Sequence, residues 1–202
     1  MDLEQLQVSA ATCTLCELHK GRINPVFAKG NPKAPIMICG MVPAYEENKQ
    51  GIPFVGRAGQ LLDRILQTVQ ISDVYITNLV KCFLAPGKPL QPEWINSCLP
   101  YLISQIGLVE PHVIITLGAD ATNGLLGTPG TAIGKMRDKV HDWSRRIKVV
   151  PTYHPSYLLR KGGEFSNDFA KVIGDFTLAR NTLSSILSDI YDSNGPVFYS
   201  SE

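Results

Sequence analysis

Four short apolar runs rich in β-branched residues recur along the chain: APIMICG at 34–40, DVYITNL at 73–79, HVIITLG at 112–118 and RIKVVPT at 146–152. Runs of this length without polar alternation are the pattern of strands buried on both faces of a parallel sheet. Between them the spacing becomes helical. Leu61, Leu62, Ile65, Leu66 and Val69 share one helical face, as do Trp94, Ile95, Leu99, Leu102, Ile103 and Ile106. Pro92 and Glu93 suit a helical first turn, and Ser166 is placed to cap a last helix running to about Leu187. Strands alternating with helices predict an α/β fold with a four-stranded, mainly parallel sheet covered on both faces. No repeat, low-complexity tract or linker interrupts the pattern. Residues 1–202 therefore read as one domain, with a loose tail over about 192–202.

Composition narrows the class only slightly. An apolar content of 44% against 18% charged residues is that of a globular chain with a sizeable core, not a disordered one. The opening MDLEQLQVSA lacks the basic start and apolar centre of a signal peptide, and no stretch approaches the roughly 18 apolar residues of a membrane span. A cytoplasmic protein without a membrane partner is expected. The formal net charge of +1 neither suggests nor excludes nucleic acid, because local patches decide contact.

Cysteine usage is more informative. Cys13, Cys16, Cys39, Cys82 and Cys98 are an odd set with no secretion signal, which disfavours a disulfide framework and leaves metal binding or burial. Cys13 and Cys16 form C-x2-C, close enough to reach one metal centre. Cys82 lies just past a predicted strand and Cys98 on the helix after it, so the intervening path can return one to the other. Four thiolates from three elements suit either zinc or a 4Fe-4S cluster, and spacing does not separate the two. Cys39, inside an apolar strand, reads as core. His19 could replace one ligand but reads better as a solvated residue at a helix end.

The loop GMVPAYEE follows the first predicted strand, where open α/β sheets place their ligands. Its first side chains are apolar, and Glu46 and Glu47 arrive late. The longer series gives this loop a context: GMVPAYEENKQGIPFVGRAGQLLD at 40–63, TNLVKC at 77–82, Cys98, TLGADA at 116–121 and PTYHPSYLLR at 151–160. In this order, and with Cys13 and Cys16, the series closely resembles the family 4 uracil-DNA glycosylases, the iron-sulfur branch of that superfamily. PFVGRAGQLL is the specific piece; a histidine before proline is weak alone. The resemblance runs from Cys13 to Arg160.

The resemblance implies a three-layer αβα sandwich and favours a 4Fe-4S cluster on Cys13, Cys16, Cys82 and Cys98 over zinc. It implies a monomeric hydrolase that cuts uracil from DNA and starts base-excision repair. Phe54 matches the aromatic that stacks on the extruded base, and Asn78 the amide that reads its edge. An amide can accept from uracil N3–H and donate to O4, and both complementarities reverse against cytosine. His154 matches the histidine that stabilises the departing anion, a catalytic role. Met41, Val42 and Pro43 line the pocket through their backbone. Glu47 aligns with a family glutamate that crowds the uracil 5-position and rejects thymine. Leu158 or Leu159 is the expected wedge into the DNA minor groove. Arg57, Arg160, Lys161 and Lys81 are candidates for phosphate contact.

The chain departs from the family at defined places. The first loop usually reads G-E-A/G-P-G, where this chain has Met41 for the glutamate and Ala44 for the last glycine. FLAPGKPL at 83–90 replaces a stretch that is commonly arginine-rich. No KRRIH-like insert is present, so a covalent product is disfavoured. The altered loop supports one rival reading: a weak or inactive relative kept as a DNA-binding or replication-accessory module. A zinc-stabilised nucleotide-binding protein is disfavoured, because LGADATNGLLG lacks G-x-G-x-x-G.

Overall fold

In the computed structural model, residues 1–193 are described; the end of the expected tail, 194–202, lies outside them. Helix α1 (Leu3–Ala11) starts with a capping box in which Asp2 accepts from the Gln5 N–H at 2.9 Å and Gln5 accepts from the Asp2 N–H at 3.1 Å. A 3-10 turn at Glu17–Gly21 leads to β1 (Lys29–Gly30) and β2 (Ile36–Gly40), then α2 (Tyr45–Gln50) and α3 (Arg57–Thr68). Next come β3 (Val74–Asn78), α4 (Pro92–Val109), β4 (Val113–Leu117), α5 (Ala119–Leu126) and α6 (Ile133–Met136). The chain continues with β5 (His141–Asp142), β6 (Lys148–Thr152), α7 (Pro155–Arg160) and α8 (Phe169–Ser193).

The strands form one sheet in the order β1-β3-β2-β4-β6-β5. Its centre, β3-β2-β4-β6, is the parallel set that the four apolar runs predict. The four-strand expectation is corrected at the margins: β1 pairs antiparallel with β3 and β5 antiparallel with β6, making six strands. Two-residue strands carry no periodicity to read, and their pairing is set by neighbours distant in sequence. They cover the backbone edges of the parallel core.

Both faces are buried, giving the expected three layers. Ile36 and Ile38 face a core shared with Leu61 and Leu62 of α3, Leu158 of α7, and Val172 and Phe176 of α8. Met37 and Cys39 face the opposite core, with Leu102 and Ile106 of α4 and Leu125 of α5. Helix α8 starts at Phe169, three residues after Ser166, whose hydroxyl accepts from the Asp168 N–H at 3.2 Å. It runs to Ser193, past the expected end near Leu187.

A buried carboxylate joins α8 to the sheet and to the loop after α6. Asp175 accepts from Arg137 Nε at 3.0 Å, Arg137 Nη2 at 2.8 Å, the Asp138 N–H at 3.1 Å and Thr152 Oγ1 at 2.7 Å. Burial lifts its carboxyl above the usual range, against the pull of Thr152 and Arg137. Asp175→Ala would leave a mostly buried guanidinium unpaired, a loss of about 3–5 kcal/mol. Calorimetry should record a Tm lower by roughly 10 °C; an unchanged Tm would exclude this anchoring role.

Candidate active site and thiol centre

The chain passes from β2 to β3 on one side, then back across β2 to β4, so strand order reverses between β2 and β4. Ligands bind at this point in doubly wound sheets, beyond the strand C-termini. Here a cleft of about 560 Å³ opens. It is lined by Met41, Val42, Pro43 and Tyr45 after β2, by Gly118 and Ala119 after β4, and by His154, Ser156, Tyr157 and Arg160 after β6. Phe83, Leu84 and Pro86 also line it, so the FLAPGKPL stretch contributes apolar surface to the cleft.

Next to Met41 in the chain, but not itself lining the cleft, is Gly40, the last residue of β2. A Cβ built on Gly40 would lie 2.3 Å from Asn78 Oδ1 and 2.7 Å from Phe54 Cζ. Asn78 pairs with Gly40 in register at the parallel strand end, which is why its amide reaches this spot. Asn78 is buried, and among the described residues its recorded hydrogen bond is through its carbonyl, leaving the amide uncommitted. Sequence reading singled out Asn78 and Phe54 but missed why Gly40 must be bare. A glycine ending a fully buried strand is the available signal.

Phe54 is held by the turn around it. Its φ is 53°, in the left-handed region that a bulky residue occupies only when surroundings impose it. Lys29 Nζ donates to the Phe54 carbonyl at 2.9 Å, and Glu47 Oε1 accepts from the Val55 N–H at 3.1 Å and the Gly56 N–H at 2.9 Å. Gly59 completes the constraint, since a Cβ there would lie 2.0 Å from the Phe54 carbonyl oxygen. Glu47 is thus first a brace for the turn at Phe54. Its Oε2 is buried without a hydrogen-bond partner among the described residues.

His154 caps α7. Its Nδ1 accepts from the Ser156 N–H at 3.0 Å, which fixes the neutral tautomer with the proton on Nε2. Burial pushes its pKa down to about 4, Arg160 adds to the fall and Glu47 opposes it. The ring lies 6.0 Å from that of Phe54, centroid to centroid, at 30° between planes. Met41 and Val42 are half-buried and Pro43 is buried.

The remaining candidates divide. Arg57, Arg160 and Lys161 are exposed, and Arg160 is at the cleft. Leu158 is fully buried in the α3–α8 core, so it cannot enter a groove without unpacking the fold; Leu159 is half-buried and nearer the surface. Lys81 is only 2% exposed, which removes it from the phosphate-contact candidates.

A second site lies beside the first. Cys13 and Cys16, after α1, Cys82, beyond β3, and Cys98, on α4, line one cavity with Arg22, His19 and Tyr101. Arg22 Nη1 donates to Cys82 Sγ at 3.3 Å, and the Lys81 N–H donates to Cys98 Sγ at 3.2 Å. Donors aimed at sulfur suit thiolate ligands. Among the described residues no group of three or more His, Cys, Asp or Glu side chains is arranged to hold a metal ion, although the four thiols line one cavity. Burial raises Cys98 to about 11 despite Lys81, and raises Cys82 with Arg22 opposing. A metal centre must therefore displace these protons as it binds. Cys39 is buried in the sheet and pushed up to about 12, as a core thiol should be.

The profile of the uracil DNA glycosylase superfamily matches residues 27–177. The chain belongs to this superfamily. A type-4 uracil-DNA glycosylase of Thermotoga maritima is 40% identical over 163 residues, 80% of this chain and 83% of that protein. One from Pyrobaculum aerophilum is 39% identical over 185 residues, 86% and 94% of the two chains, and one from Saccharolobus solfataricus is 38% identical over 194 residues, 91% and 88%. The family resemblance read from the motifs is thereby borne out over most of the chain. Among the described residues no helix is long and apolar enough to cross a membrane.

Proposed function

We propose that the chain is a DNA glycosylase that hydrolyses the N-glycosidic bond of a flipped-out deoxyuridine, releasing uracil and leaving an abasic site. The supporting observation is the convergence of the Asn78 amide and the Phe54 ring on the bare Gly40, with the ring of a neutral His154 lying 6.0 Å from that of Phe54. Extrusion is required because the bond is inaccessible within the stack. Phe54 offers its face to the base, and Asn78 accepts from uracil N3–H and donates to O4. Cleavage leaves negative charge on the base and positive charge on the sugar. The Nε2–H of His154, donating to uracil O2, strengthens as that charge develops and so lowers the barrier.

No carboxylate replaces the apolar side chains of Met41 and Val42, so the sugar cation is met by water without a dedicated base from this loop. Glu47 braces the Phe54 turn and borders the base, which excludes a 5-methyl group. Leu159 wedges into the gap left by the flipped nucleotide, while Arg57 and Arg160 contact phosphate. Cys13, Cys16, Cys82 and Cys98 hold a 4Fe-4S cluster, which supplies structural bracing and no chemistry at the base. The chain acts as a single-domain monomer in a reducing, cytoplasmic setting.

Anaerobic purification, metal analysis and incubation with single-stranded and duplex oligonucleotides carrying one uracil test this reading together. A brown, iron-bearing protein that makes alkali-labile sites only at uracil is expected. Brown protein that binds DNA without cleavage would favour the accessory-module reading, and a colourless zinc protein would overturn the cluster assignment.

A further inference from the structure

Lys81 stands between the two sites. Three residues before it lies Asn78, and the next residue is Cys82. Its ammonium is buried, and no carboxylate pairs with it among the described residues. Nζ donates to Thr77 Oγ1 at 2.8 Å and to the Asn78 carbonyl, and the main-chain N–H donates to Cys98 Sγ. Its carbonyl accepts from the Val26 N–H at 2.8 Å, which pins the segment from the far side. Thr77 in turn donates to the Phe27 carbonyl at 2.7 Å, and its Oγ1 lies 3.2 Å from Gln105 Oε1.

An ammonium taken from water without a partner costs several kcal/mol, so its retention needs a nearby negative charge. Burial lowers the Lys81 pKa to about 8, and the Cys98 and Cys39 thiols oppose the fall; Cys98 Sγ also accepts from the Lys81 main-chain N–H. Cys39 sits in the apolar sheet, whereas Cys98 opens onto the four-thiol cavity. Four thiolates around a dipositive centre, whether a single zinc or an oxidised cubane, leave two negative charges. Arg22 and Lys81 are the two cationic residues that line that cavity, apart from the ionisable His19.

Resting on the reading above, we propose that Lys81 is a positioning residue with two tasks: it balances the thiolate centre's charge, and through the Asn78 carbonyl it sets the position of the uracil-reading amide above Gly40. The centre thereby orders the reader directly, through one side chain, in addition to bracing the fold.

Two substitutions separate the tasks. Lys81→Met removes both charge and donor; Lys81→Gln removes the charge but keeps an amide donor for the Asn78 and Thr77 oxygens. Outer partners of metal ligands typically contribute about 10- to 100-fold in metal affinity or activity. Bleaching of the visible band by an iron chelator, in protein purified without oxygen, should therefore be about tenfold faster in both variants. In single-turnover assays the rate on uracil DNA should fall about tenfold in Lys81→Met and recover at least partly in Lys81→Gln. Bleaching at the wild-type rate in Lys81→Gln would overturn the charge-balancing role. Equal rates for both variants, at equal cluster content, would overturn the positioning role. Where Lys81→Met does not fold, Lys81→Gln still decides both: its bleaching rate tests the charge, and a rate per loaded cluster below about a tenth of wild type contradicts positioning by the donor. A wild-type protein without glycosylase activity would instead refute the proposed function and leave the bleaching result intact.

Discussion

Replacement of His154 by alanine should lower the single-turnover rate of uracil release by about a hundredfold to a thousandfold, the range typical for removing one preorganised donor to a developing anion. Affinity for DNA carrying a non-cleavable deoxyuridine analogue should change little, because the neutral base asks less of the donor than the departing anion does. Equal losses in rate and affinity would assign His154 to binding alone. The ring's environment adds a pH signature. With its pKa at about 4, the imidazole stays neutral and Nε2 keeps its proton throughout the neutral range. The rate contribution from His154 should be flat from about pH 9 down to pH 5. A rate that rises as pH falls through 6.5 would show that imidazolium is the donor and overturn the neutral assignment. Stability has a matching sign: the folded-state pKa lies below the ordinary histidine value of 6.5, so this group's contribution is full above that pH and is lost as pH falls toward 4. Its physical origin is the burial of the ring, which disfavours the imidazolium, with the Arg160 charge adding to the effect.

Replacement of Gly40 by alanine should cost at least about a hundredfold in the same assay, the scale expected of an ångström-sized misplacement of reacting groups. The added methyl meets the ends of two side chains, Asn78 Oδ1 and Phe54 Cζ, and not main chain. Those ends can move, so the fold should survive with its Tm within a few degrees of wild type while the Asn78 amide and the Phe54 ring are displaced together. A Gly40→Ala protein with unimpaired excision would show that the base does not sit over Gly40. A large fall in Tm accompanied by a normal rate per folded molecule would show the same. Met41 and Val42 act differently, since they line the wider cleft and lie outside this point of closest approach.

The parts of the molecule legible in the sequence are those governed by neighbours in the chain. The four central strands are visible because burial on both faces requires apolar runs such as IMICG and VIITL. Helices α3 and α4 are visible through their periodicity, and the ends of the strands point to Asn78 and to the loop after Gly40. Cys13 and Cys16 disclose themselves by spacing, while their meeting with Cys82 and Cys98 is an inference that the shared cavity supports. Motif order supplies Phe54, Glu47 and His154, but not what holds them.

What tertiary structure alone decided is of another kind. The edge strands β1 and β5 exist because β3 and β6 offer unpaired backbone, which no two-residue segment can announce. Which of Leu158 and Leu159 is buried turned on the phase of a six-residue helix packed against α3, too short for periodicity to establish. Lys81 looked like a surface cation until the fold closed Thr77, Asn78 and Cys98 around it. Glu47 looked like a base-facing acid and is also tied to the Val55 and Gly56 amides. The physical reason is common to all four: chain periodicity records which side chains leave water, whereas their partners are chosen by contacts between segments remote in sequence.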